Sequence, residues 1–215
     1  IYNYKIELMK IDTNSNPKPD AIFFDCDGTL SQIEGINYLA ETKGVAAAVE
    51  ELTEQAMSQD GLSPDLYRQR LQLVKPTYQE LINLADAYYQ HVSMDAPAVI
   101  HCLRALNLPV YVISAGNNPA VKVFAQQLGI EEQCVFGVDL NFDDKGDYID
   151  FNTDSPLIRQ RGKADIIKAI RDQHRWSQVI LVGDGMNDCE AADAVELFIG
   201  YGGNFFRQQV ADLSS

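Results

Sequence analysis

Three short apolar runs, AIFFDC at 21–26, LPVYVIS at 108–114 and QVILVG at 178–183, do most to limit the folds open to this chain. Each is continuous rather than alternating, so each reads as a strand buried on both faces of a parallel sheet. Parallel neighbours must be joined by crossovers, and helical periods at 118–128 and 163–173 supply them. A third period at 95–106 leads into the second run. The alternation predicts an α/β fold with a doubly wound parallel sheet. In such sheets ligands bind beyond the carboxyl ends of the strands. Asp25, Ser114 and Asp184, each at the end of one run, are therefore expected to meet.

Residues 33–92 interrupt the alternation with four successive helical patterns, at 34–43, 45–58, 64–74 and 77–91. They read as a helical cap inserted after the first strand and lying over its end. Residues 134–152, CVFGVDLNFDDKGDYIDFN, alternate in short runs about DDKG and read as a hairpin. Residues 1–12 alternate loosely, as an accessory strand or a short helix would, and TNSNPKPD reads as a linker. The expected domains are an extension and linker over 1–19, a catalytic core over 20–32 and 93–215, and the cap over 33–92.

Seventeen basic against 31 acidic residues leave a formal charge of -14. That charge opposes binding to nucleic acid or to an anionic membrane, and the densest basic group, Arg159, Arg161 and Lys163, is too small to reverse it. No apolar run approaches the roughly 18 residues of a membrane span. Four cysteines without CxxC spacing suit a reducing setting, and no signal peptide opens the chain, so a cytoplasmic monomer or homodimer is expected. His91, His101 and His174 lack ligand spacing and read as structural. Tyr88, Tyr89, Phe205 and Phe206 read as packing.

DCDGT, residues 25–29, sets two carboxylates one residue apart at the end of a buried strand. Like charges that close raise each other's pKa unless a cation neutralises them. With such a cation Asp25 can serve as a nucleophile, and Asp27 can protonate a leaving oxygen and then deprotonate water. Read blandly, the pair only caps a turn. LVGDGMND adds Asp184 just past a strand and Asp188 near a helix start; hard oxygen ligands of this kind suit Mg²⁺, held directly by Asp184. Asp188 either orients a water on the metal, pairs with Lys163 or caps a helix. Ser114, with the N–H groups that follow it, either holds phosphate oxygens or is an N-cap. Lys163 stands at a helix start, where the macrodipole disfavours a cation, which hints at a role against phosphate.

Together, DCDGT, Ser114, Lys163 and GDGMND resemble the four motifs of the haloacid dehalogenase superfamily of aspartate-nucleophile phosphatases. The resemblance implies a Rossmann-like core, Mg²⁺ on Asp25, Asp184 and the Asp27 carbonyl, and a phosphoaspartate on Asp25, with Asp27, Ser114 and Lys163 also catalytic. From residue 20 to about 210 the chain is similar to the eukaryotic-type branch that hydrolyses O-phosphoserine in serine biosynthesis. Position by position, this implies Glu34 against the substrate ammonium, Arg70 against its carboxylate and Met57 lining the pocket. Ala115, Gly116 and Asn187 join the substrate contacts. Without the resemblance, Glu34 and Arg70 read as ordinary surface charges. Two positions depart from the family pattern, Ala115 in place of the usual glycine and Gly28 in place of a frequent serine. The same chemistry on phosphohomoserine or phosphoethanolamine, or a non-catalytic phospholigand sensor, are the alternatives.

Overall fold

Ala21–Phe24 form β1, all four residues buried, and this strand is the middle of a five-stranded sheet. The computed structural model describes residues 18–57 and 63–214, and the side chains of 54–57 lie outside that description. The strand or helix expected over 1–12, and the linker as far as residue 17, fall outside the described residues. On one side of β1 runs β2 (Val110–Asn117), with Ile22 opposite Val110, and beyond it β3 (Val135–Val138). On the other side runs β6 (Val179–Gly183), with Ile22 opposite Ile180, and beyond it β7 (Leu197–Gly200). All pairings in this sheet are parallel, in the order β3-β2-β1-β6-β7. The winding reverses between β1 and β6, which opens a crevice past the carboxyl ends of the central strands.

The doubly wound α/β expectation holds. Helices α5 (Ala96–Ala105), α6 (Asn118–Gln127) and α7 (Gly162–His174) fall where the sequence periods put them. Phe23, Val112 and Leu181 from the sheet, with Phe124 and Ile167 from the helices, are fully buried in the core. Each such side chain contributes about 1.5–3 kcal/mol of burial. Two short helices, α8 (Met186–Cys189) and α9 (Gln208–Leu213), flank β7.

Between β1 and α5 come α1 (Gly35–Lys43), α2 (Ala46–Met57), α3 (Pro64–Val74) and α4 (Tyr78–Gln90). Their limits follow local chemistry. Gly44 closes α1 in the left-handed conformation, and Ser63 caps α3 ahead of Pro64. Thr77 and Glu80 form a reciprocal capping box on α4.

The hairpin expected over 134–152 needs correction. Only β4 (Leu140–Phe142) and β5 (Tyr148–Phe151) form it, turning through Asp143–Asp147, while Val135–Val138 pair with β2 as an edge of the main sheet. Val135–Val138 is a partly buried edge strand holding a glycine, so it lacks the continuous apolar character that marks β1 as a central strand. The same reason left β7 without a sequence expectation. Among the described residues, no helix is long and apolar enough to cross a membrane.

Candidate active site

The backbone stays in the ladder one residue past β1, because the Asp25 N–H donates to the Val182 carbonyl at 2.9 Å. This fixes the Asp25 side chain at the carboxyl edge of the sheet, where it is 6% exposed. Its Oδ1 accepts the Cys26 N–H at 2.7 Å, and its Oδ2 faces Lys163 Nζ at 2.8 Å. Lys163, the second residue of α7, reaches Asp188 Oδ1 at 2.7 Å with the same ammonium. Burial works against the lysine charge, but Asp188 and Asp25 outweigh it and hold the pKa above the ordinary lysine value. Asp25 is also pushed upward, which for a carboxylate works against its charge, by burial first and then by Asp188, with Asp184 and Asp27 adding and Lys163 opposing. One lysine thus serves a group of buried carboxylates, and the site is short of positive charge.

Asp184 follows β6 directly and is 2% exposed. Thr29 Oγ1 donates to its Oδ1 at 2.8 Å, and the Arg207 guanidinium donates both to its carboxylate and, at 2.9 Å, to its carbonyl. Burial and Asp188 still raise its pKa, against Arg207 and Thr29. Gly28 sits beneath it at φ 71°, and a Cβ there would come within 2.5 Å of Asp184 Oδ2. Glycine at this position suits both the positive φ and the close approach to the Asp184 carboxylate.

Asp25, Asp184 and Asp188 each offer an oxygen, all within 4.8 Å of one another. An all-oxygen donor set with excess negative charge fits a hard divalent cation such as Mg²⁺. Asp188 is fully buried and already holds Lys163 and the Gly185 N–H, the latter at 3.0 Å, which makes it the residue that orients the lysine.

Asp27 faces the same space from the loop. Its Oδ1 accepts the Gly35 N–H at 2.6 Å and the Tyr88 hydroxyl at 2.7 Å, and its Oδ2 accepts the Ser114 hydroxyl at 3.0 Å. Ser114 in turn accepts the Gly116 N–H at 2.8 Å. Burial and Asp27 push the Tyr88 phenol well up, so it remains a donor.

Two ionisable side chains from the helical insert line the cavity. Arg70 on α3 is 8% exposed, its guanidinium carbon lies 5.6 Å from the centre of the Tyr67 ring, and its Nε has no hydrogen-bond partner. A buried guanidinium with an unpaired donor is costly unless a ligand completes it. Glu34, at the start of α1, lies 3.9 Å from Arg207. Burial, then Asp27 and Asp184, raise its pKa to about 8 against Arg207 and Arg70.

Asp25, Asp27, Ser114, Asp184, Glu34 and Arg70 line one cavity, and Ala115, Gly116 and Asn187 are also part of its wall. Lys163 and Asp188 lie directly behind Asp25. The Met57 side chain falls outside the described residues, so its expected place in the pocket has no counterpart here. Arg207, Thr29, Gly35 and Tyr88 were not singled out by sequence reasoning as site residues. Arg207 lies in the loop after β7, which had no chemical motif of its own; Tyr88 sits on the apolar face of α4, where a tyrosine reads as packing. Tyr89, Phe205 and Phe206, also read as packing, are exposed, and so are the three histidines, which do not line this cavity.

A parallel sheet with an inserted helical unit and an aspartate pair at its switch point defines a class, and residues 22–193 match the haloacid dehalogenase-like hydrolase family model. The chain belongs to that family. Among its curated relatives, phosphoserine phosphatase of Bos taurus is 35% identical over 193 residues, covering 90% of this chain and 86% of the relative. The Homo sapiens phosphoserine phosphatase is 34% identical over the same coverage. A solved phospho-aspartyl intermediate analogue of phosphoserine phosphatase superposes with a TM-score of 0.79 at 23% identity, covering 93% of this chain and 92% of that one. At that identity the superposition shows the fold.

Proposed function

We propose that this chain is a phosphatase that hydrolyses O-phosphoserine to serine and phosphate through a phosphoaspartate on Asp25. The observation that carries the substrate assignment is Arg70, a buried guanidinium with an unpaired Nε at the mouth of the aspartate site. A phosphoamino acid brings a carboxylate for Arg70, an ammonium for Glu34 and a phosphate for the aspartate end. Phosphoethanolamine lacks the carboxylate and would leave Arg70 unpaired. Residues 33–92, which supply Glu34 and Arg70, act as the specificity cap over a core formed by 20–32 and 93–215.

In the first step an Asp25 carboxylate oxygen attacks phosphorus and the bond from phosphorus to the serine oxygen breaks. Asp27 gives its proton to that oxygen, and serine leaves as the neutral alcohol. Ser114, Lys163 and the N–H groups of Ala115 and Gly116 hold the phosphoryl oxygens. In the second step Asp27, now a carboxylate, takes a proton from water whose oxygen attacks phosphorus; the acyl phosphate bond breaks and Asp25 is restored. Mg²⁺, held by Asp25, Asp184 and the Asp27 carbonyl with Asp188 behind Lys163, would supply the positive charge that these buried carboxylates lack. The four cysteines are free, consistent with a reducing, cytoplasmic setting.

Phosphate release should be measured on O-phosphoserine, phosphohomoserine, phosphoethanolamine and para-nitrophenyl phosphate, with Mg²⁺ and with chelator. O-phosphoserine should give the highest kcat/KM, only with Mg²⁺, and Asp25→Asn should abolish turnover while leaving the melting temperature of the protein near that of the parent. Preference for phosphoethanolamine would overturn the substrate assignment, and turnover by Asp25→Asn would overturn the nucleophile.

A further inference from the structure

The hydroxyl of Tyr88 lies far from Asp27 in sequence, on the last helix of the insert, yet it donates to Asp27 Oδ1 at 2.7 Å. Tyr88 is fully buried, and its ring packs against Phe124 of α6 with centroids 5.4 Å apart. Its backbone carbonyl accepts the Ser31 hydroxyl at 3.1 Å, which ties α4 to the loop that carries Asp27. The phenol therefore has little freedom to swing away. Gly35 makes room for it, because a Cβ at that position would overlap the Tyr88 hydroxyl. Gly35 also places its own N–H on Asp27 Oδ1, at 2.6 Å. Two donors thus occupy one oxygen of this carboxyl group, while among the described residues the other accepts only the Ser114 hydroxyl of β2, at 3.0 Å.

We infer that Tyr88 is a positioning residue for leaving-group protonation: with Gly35 it pins Asp27 Oδ1 and so turns Oδ2 toward the departing oxygen. The inference rests on the proposed acid role of Asp27 and adds to it the group that aims the acid. A carboxyl group held from one side by two fixed donors loses rotation about its terminal bond, and proton transfer to the leaving oxygen needs that alignment. Substrate binding does not. Phosphate is held by other groups, and Glu34 and Arg70 hold the amino acid end.

The test is Tyr88→Phe, which keeps the ring and its contact with Phe124 and removes one donor. Asp27 gains negative charge as it gives up its proton, and losing a hydrogen bond to that developing carboxylate corresponds to about ten-fold in rate. Single-turnover phosphorylation by O-phosphoserine should fall by that factor with KM and the Mg²⁺ activation constant within about two-fold of the parent, while phosphorylation by para-nitrophenyl phosphate, whose aryl oxide leaves unassisted, should change by less than about two-fold. Gly35→Ala, which retains the hydroxyl but displaces it, should reproduce the pattern, and Tyr88→Phe should add nothing further in an Asp27→Asn background. Asp27→Asn serves as the reference. If it loses O-phosphoserine selectively and Tyr88→Phe loses neither substrate, or both equally, Tyr88 is a packing residue and the inference is overturned alone. If Asp27→Asn itself shows no selectivity, the acid assignment fails and the role of Tyr88 fails with it.

Discussion

Glu34 stands among Asp27, Asp184, Arg70 and Arg207, and its raised pKa of about 8 shows that burial and the two aspartates outweigh the two arginines. A carboxyl group whose folded pKa lies above its ordinary value of 4.5 binds its proton more tightly in the folded state. Between those two values the folded protein is protonated at Glu34 and the unfolded chain is not, so stability falls as pH rises through the window and levels off above about 8. The sign is opposite to that of a salt-bridged aspartate. In metal-free protein, Glu34→Gln should therefore lose less melting temperature than the parent between pH 5 and pH 8. An identical loss in both proteins would show that other groups set the slope. The same residue illustrates what sequence could and could not show. A first-turn glutamate reads as surface charge, and only its partial burial in the cavity, beside Asp27 and Asp184, raises its pKa.

At the scale of elements, the helices of the insert were legible because their signals are local. Pro64 behind Ser63, Gly44 behind Lys43, and the pair Thr77 and Glu80 mark ends that need no tertiary partner. The capping box on α4 gives a direct check. Thr77→Ala removes a side chain that accepts the Glu80 N–H at 3.2 Å and should cost about 0.5–2 kcal/mol. For a chain of this size that is a drop of a few degrees in melting temperature, measured by calorimetry, and a change within error would mean that packing alone holds the helix start. The central strands were equally legible as continuous apolar runs buried on both faces. By contrast, β3 and β7 are edge strands that are only partly buried, and their membership of the sheet is decided by where α6 and the loop after β6 deliver them. The motif aspartates were legible as chemistry because strand ends are where ligands sit in such sheets. Arg207 and Tyr88 were not, since one follows an edge strand and the other lies on an apolar helical face.

At the scale of the whole molecule, the parallel sheet and the inserted helices make different contributions to one cavity. Asp25, Asp27, Ser114, Lys163 and Asp184 come from strand ends and helix starts of the sheet layer and would act on almost any phosphomonoester. Glu34 and Arg70 come from the insert, and in the proposed function they are the charged groups that would face the amino acid end of phosphoserine. A net charge of -14 makes the contrast sharper, because an anionic substrate gains nothing from the long-range field and depends on a few local cations. Of these, Arg70, buried and with an unpaired Nε, is the one proposed to take the substrate carboxylate. Arg70→Met keeps much of the side-chain volume and removes the charge, so the substrate carboxylate would enter a closed site without its partner. The loss should be about 2–5 kcal/mol, or roughly thirty-fold and upward in kcat/KM for O-phosphoserine. Para-nitrophenyl phosphate has no carboxylate to strand, and its turnover should stay close to that of the parent. Equal losses on both substrates would mean that Arg70 supports the fold of the insert rather than reading the substrate, and the chain would then be a phosphatase whose specificity is set elsewhere in the cavity.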